Sequence, residues 1–224
     1  MPEDHTAQLP DEPDSPAPGG EPSGSAVRRR PKPGERRIQI LQALAAMLER
    51  PSGERITTAA LASKLEVSEA ALYRHFASKA QMFEGLIEFI EQSVFGLANQ
   101  IVEHEQGDGA DVGARQCARI IAMLVQFAEK NPGMARVMVG DALVFENERL
   151  QQRMNQFFDR VESTLKQCLR SHADASSLTP TVDAQIRAAV LTAFVAGRLQ
   201  RFVRSGFKRP ASENLESSLA VVLG

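Results

Sequence analysis

The side chains of this chain best suited to binding chemistry cluster between Thr57 and Lys79. Glu69, Ala70, Ala71, Tyr73, Arg74 and His75 fall outward in some mixture on one short predicted helix, with Thr57, Thr58, Ser68 and Lys79 around its approaches. These types suit contact with double-stranded DNA. Ala70 and Ala71 are slim enough to enter a major groove, where a methyl can meet a thymine methyl, and Glu69 can accept from a cytosine amino group. Tyr73, Arg74, His75 and Lys79 carry donors that reach phosphates on either side. A plain surface helix would show the pattern on one helix only; here it extends over two helices and their caps.

The elements that must position these groups are legible in ITTAALASKLEVSEAALYRHFASKAQMF, from Ile56 to Phe83. Thr57 or Thr58 caps a short helix whose apolar side is Ala59, Leu61, Ala62 and Leu65, and Ser68 caps a second, from Glu69 to Phe76. Small Ala62 permits a close helix crossing, and Leu72 and Phe76, four apart, turn inward with Val67. Two short helices joined by a tight turn at Glu66 form a helix-turn-helix. Ahead of it, Ile38, Leu41, Leu44, Ala45 and Leu48 recur at helical spacing over 35–50, ending at Pro51, Ser52 and Gly53.

Charge supports the same surface. The net charge of −2 over 224 residues hides an asymmetry: residues 1–27 hold six acidic side chains and no Lys or Arg, residues 28–80 hold eleven Lys and Arg against five acidic, and residues 81–224 fifteen against seventeen. A near-neutral protein thus carries a local basic face. The first 34 residues, rich in Pro, Gly, Ser and acid, predict a disordered tail. Arg28, Arg29, Arg30, Lys32, Arg36 and Arg37 then reverse its sign, as a solvated linker or as an arm that touches DNA phosphates or the minor groove.

The remainder predicts helices throughout. A long fourth helix from Ser78 to about Glu103 carries the stripe Met82, Phe83, Leu86, Ile87, Ile90, Val94, Leu97 and Ile101, while Phe89 and Phe95 fall off it and either pack on a second neighbour or await a partner. After a polar break at Gly107, Gly109 and Gly113, helices follow over 114–130, 134–143, 146–172, 179–205 and 211–223, with Lys130-Asn131-Pro132-Gly133 as a sharp stop. The Phe and Met residues of 146–172 read as core. Ala189, Ala193, Ala196 and Gly197 share a face of small residues that permits close helix approach. A homodimer built on that face sets two reading helices about one DNA turn, or a multiple, apart. The fold class is all-α: a tail over 1–34, a three-helix DNA-binding domain over 35–80, and a helical core and dimerisation domain over 81–224.

Other chemistries find little support. His5, His75, His104 and His172 are scattered, and neither a Gly-rich phosphate loop nor a nucleophile elbow is present, so no enzyme, metal or cofactor is expected. Apolar runs are too short to span a membrane, the N-terminus is unlike a signal peptide, and Cys117 and Cys168 read as buried reduced thiols. These point to a cytoplasmic protein.

The reader segment resembles TetR-type regulators, whose third helix ends in Tyr-x-x-Phe followed by Ser-Lys; Tyr73, Phe76, Ser78 and Lys79 stand in those places. The family usually has Gly at the turn, where this chain has Glu66, and a positive φ there would cost a non-Gly residue on the order of 1 kcal/mol. The longer stretches LIEFIEQS, NPGMAR, ALVFENERLQQRMNQFFDR and RFVRSGFK are similar to the branch whose members, bound to chromosomal sites, antagonise the division protein FtsZ. That resemblance implies an FtsZ-contacting surface on the fourth helix and nearby core, bringing in Phe89, Lys130 and Asn131. Leu97 departs from it, since the branch can carry a basic residue there. The alternative within the family is a ligand-responsive repressor, although no polar effector site is visible.

Overall fold

The computed structural model describes residues 34–50, 56–105, 107, 111–171 and 180–223. The acidic tail, the basic residues Arg28 to Lys32, the Pro51 to Gly53 break, His5 and His172 lie outside the described residues. Three helices form the reading head: α1 (Glu35–Leu48), α2 (Thr58–Lys64) and α3 (Glu69–Tyr73). Around them come α4 (Lys79–His104), α5 (Asp111–Lys130), α6 (Pro132–Met138), a 3-10 turn at Asp141–Leu143, α7 (Glu148–Ser171), α8 (Pro180–Arg204) and α9 (Leu215–Leu223). Among the described residues there is no strand.

Cap chemistry starts the short helices where it was expected. Thr57 accepts from the Ala60 amide, Ser68 from the Ala71 amide and Ser78 from the Gln81 amide, each satisfying a donor that the first turn leaves unpaired. α2 ends in a Schellman turn, the Glu66 amide bonding to the Ser63 carbonyl and the Val67 amide to that of Ala62. This turn requires a left-handed residue, and Glu66 takes it at φ 53°. Leu61, Ala62, Leu72 and Phe76 are buried beneath the turn.

The head is fastened to the core at two places. α4 runs out of the head and continues into the core, burying Met82, Phe83, Leu86, Ile87, Ile90 and Val94. α6 lies against α1 so closely that a Cβ on Gly133 would sit 2.0 Å from the Ala45 carbonyl oxygen. Arg136 on α6 also donates to the Leu48 and Arg50 carbonyls at 3.1 Å each, closing the end of α1. In the core, α7 packs chiefly on α8, α5 and α4. Cys117 and Cys168 are reduced, buried and neighbours; the hydrogen bond with Cys168 and burial push the Cys117 thiol above the ordinary range.

Several element expectations need correction. α3 stops at Tyr73, three residues short of the expected Phe76, which lies just past the turn at Arg74 and His75. α5 starts at Asp111 and takes in Gly113, read as part of the break. The expected helix over 134–143 begins at Pro132, which suits a first helical position, and breaks at Gly140 with φ 78°. α7 begins at Glu148 and α9 at Leu215, each later than expected. On α1, Ile38 is exposed and Ile40 is buried in its place.

The fourth-helix stripe is also shifted. Leu97, expected inside, is 42% exposed, while Phe95 is buried with its ring 5.4 Å from that of Phe157 and under the Arg160 guanidinium. The cause is α7, which covers a second side of α4 and places aromatic and cationic partners there. Arg153 of α7 strengthens that contact with a two-pronged bond to Glu91 at 3.1 and 2.6 Å, and Glu91 raises its pKa.

Candidate nucleic-acid interface

α2 and α3 present one continuous polar edge. Thr57, Ser68, Glu69, Ala70, Tyr73, Arg74 and His75 are exposed on it, and Ala71 is half-buried. The structure divides their hydroxyl chemistry. Thr57 and Ser68 accept from backbone amides at 3.1 and 3.2 Å, so each keeps its own O–H to donate. Thr58 instead donates to Glu69 Oε2 at 2.5 Å, joining the start of α2 to the start of α3.

α1 steadies the far end of the reader. Arg37 stacks 4.2 Å from the Phe76 ring centre and donates to the His75 carbonyl at 3.2 Å. Lys79, expected to face phosphate, is paired with Glu146 from the segment leading into α7. Glu146 is a partner the sequence reading missed, since 67 residues separate the two. Beside it Val144 and Phe145 are exposed.

Two further surfaces stand open. On α8 the buried set Ala184, Ala188, Leu191, Val195 and Leu199 faces the core. Roughly opposite by 100° steps lie Val182, Ile186, Val190 and Ala193, all exposed, with Ala189 and Ala196 half-buried among them. A Cβ on Gly197 would meet nothing within 4 Å. The small-residue face expected from sequence is thus wider and more apolar than Ala189, Ala193, Ala196 and Gly197 alone. On the opposite, buried side Arg198 ties α8 to the segment around α9, donating to the Ala211 and Glu213 carbonyls and to Ser218 at 2.7 to 2.8 Å; burial lowers its pKa.

On α4, Phe89 is 46% exposed, so of the two off-stripe aromatics it is the one left outside. Lys130 is exposed at the end of α5, whereas the Asn131 amide donates to the Phe127 carbonyl and finishes that helix. An open groove of about 790 Å³ separates α5 from α9, lined by Ala114, Ala118, Ala122, Leu215 and Leu219 with Arg115 and Arg119 at its edge. Those arginines hold the Glu105 carboxylate below its usual range. Among the described residues no group of three His, Cys, Asp or Glu could hold a metal, and no helix is long and apolar enough to cross a membrane.

Residues 40–86, the reading head and first turns of α4, match the family described as bacterial regulatory proteins, tetR family. Residues 114–223 match the SlmA-like tetracyclin repressor-like C-terminal domain. The nucleoid occlusion factor SlmA of Idiomarina loihiensis is 48% identical over 187 residues, 84% of this chain and 93% of that protein. That of Marinomonas sp. is 51% identical over 177 residues, 79% of this chain and 87% of that protein. The chain belongs to the SlmA family of TetR-type proteins. Its all-α class, with an N-terminal helix-turn-helix and a helical C-terminal domain, is that of the family, which is one of DNA-binding regulators and not of enzymes. The fold is shared more widely: the crystal structure of FadR from Bacillus subtilis in complex with stearoyl-CoA superposes with TM-score 0.63 at 14% identity, covering 84% of this chain and 97% of that one.

Proposed function

We propose that the protein is a nucleoid occlusion factor: a homodimer, cytoplasmic and nucleoid-associated, that binds specific chromosomal sites and from them antagonises FtsZ assembly. The observation that carries this reading is the identity of 48 to 51% with proteins of that name, which extends over head and core together. The geometry agrees with each part. Thr57, Ser68, Glu69, Ala70, Ala71, Tyr73, Arg74, His75 and Lys79 supply groove and phosphate contacts. The second apolar face of α8 supplies the dimer contact, and an unpartnered aromatic on α4, Phe89, supplies an anchor for FtsZ close to the DNA.

The test measures FtsZ polymers by sedimentation with the protein alone and with a duplex carrying its site. DNA is expected to increase polymer loss, and Phe89→Asp is expected to keep DNA binding and abolish that loss. Unchanged polymer in the presence of DNA would favour a ligand-responsive repressor, for which the α5/α9 groove offers a cavity. Mapping bound sites across the genome separates the two independently. Scattered chromosomal sites depleted near the terminus fit nucleoid occlusion; a single site beside one operon fits a repressor.

A further inference from the structure

Glu69 is an unusual group to present to DNA, because a carboxylate is repelled by every phosphate it passes. Apart from favouring the N-terminus of α3, it is useful on DNA only if it is held towards a base that donates. We propose that Thr58 is a positioning residue that fixes Glu69 for one cytosine in each half-site, and is not itself a phosphate contact. The proposal rests on the reading that α3 enters the major groove.

The hydrogen bond from Thr58 Oγ1 to Glu69 Oε2, at 2.5 Å, carries the argument. A threonine hydroxyl has one proton, so while it is given to Glu69 it cannot be given to a phosphate. Thr57 shows the other arrangement one residue earlier: it accepts from the Ala60 amide and its proton stays available. The two threonines therefore divide the work, Thr57 capping α2 with a donor to spare and Thr58 bridging to the recognition helix.

The bridge also selects. With Oε2 held, Oε1 is the oxygen best placed to accept, and as a carboxylate oxygen it can only accept. In the major groove guanine shows O6 and N7 and thymine O4, all acceptors that repel it, and adenine sets its amino group beside the N7 acceptor. Cytosine presents N4–H₂ with no acceptor of its own on that edge. A glutamate already confined to one rotamer also loses less freedom on docking.

Selection from randomised duplexes with the full-length protein tests this, using the wild type, Glu69→Ala, Thr58→Val and Thr58→Ser, with circular dichroism to confirm folding. The wild type is expected to enrich cytosine at one position per half-site, and Glu69→Ala to lose that preference. Thr58→Val, which keeps the shape and removes the donor, is expected to weaken it about three- to tenfold at that position alone, with the salt slope unchanged. Thr58→Ser restores it. If Thr58→Val keeps the cytosine preference and instead lowers the salt slope by about 0.9, Thr58 is a phosphate contact and the proposal falls while the cytosine reading stands. Unchanged preference in Glu69→Ala overturns both, and a wild type that selects no sequence overturns the groove reading beneath them.

Discussion

Glu66 and Glu146 are the residues whose surroundings most change what substitution should do. Glu66 sits left-handed at φ 53°, where a side chain is strained. Glu66→Gly is expected to raise stability by roughly 0.5–1 kcal/mol, the relief of strain being partly offset by the freer unfolded chain, as chemical denaturation would read. Glu146 is only 9% exposed at its side chain and holds Lys79 in the DNA-free protein. A phosphate must take Lys79 from it, so Glu146→Gln is expected to tighten DNA binding about two- to fivefold at low salt in a fluorescence titration. Unchanged affinity would mean that Lys79 stays with Glu146 on DNA.

Among the elements, α6 has the part least expected from its length. Seven residues seat the reading head on the core, because Gly133 allows backbone contact with α1 and Arg136 completes the α1 terminus. No side chain fits at Gly133. Gly133→Ala is expected to cost about 3 kcal/mol in thermal unfolding and to weaken DNA binding by shifting α1 against α4. The sequence predicts a helix from Met134 and makes Pro132 and Gly133 the stop before it, but a contact with Ala45 across the chain leaves no trace in local spacing. Asn131 shows the same limit in reverse, since the structure engages its side chain in ending α5.

For the whole molecule, the deciding feature is that α8 is apolar on two opposite sides while one chain covers only one of them. In the proposed homodimer the second side is the one that packs on a second copy. Ile186, 58% exposed near the middle of that side, is the residue to charge. A symmetric contact repeats each change twice, and Ile186→Asp is expected to give a folded monomer by sedimentation at micromolar concentration. Its DNA affinity should fall about 100-fold or more as the two half-sites cease to act together.

The all-α class, the reader and its caps were determined by the sequence itself, because a cap acts within three residues and a helix face repeats every three or four. The turn at Glu66 was legible for the same reason. What tertiary structure decided is which face each helix covers and which charges meet. α7 drew Phe95 inward and left Leu97 and Phe89 outside, a choice the stripe on α4 could not make alone. Lys79 found Glu146, Thr58 found Glu69 and Gly133 found Ala45 because folding brought distant segments together. Such pairings depend on the packing of whole helices, and local periodicity carries only the faces that are available to pack.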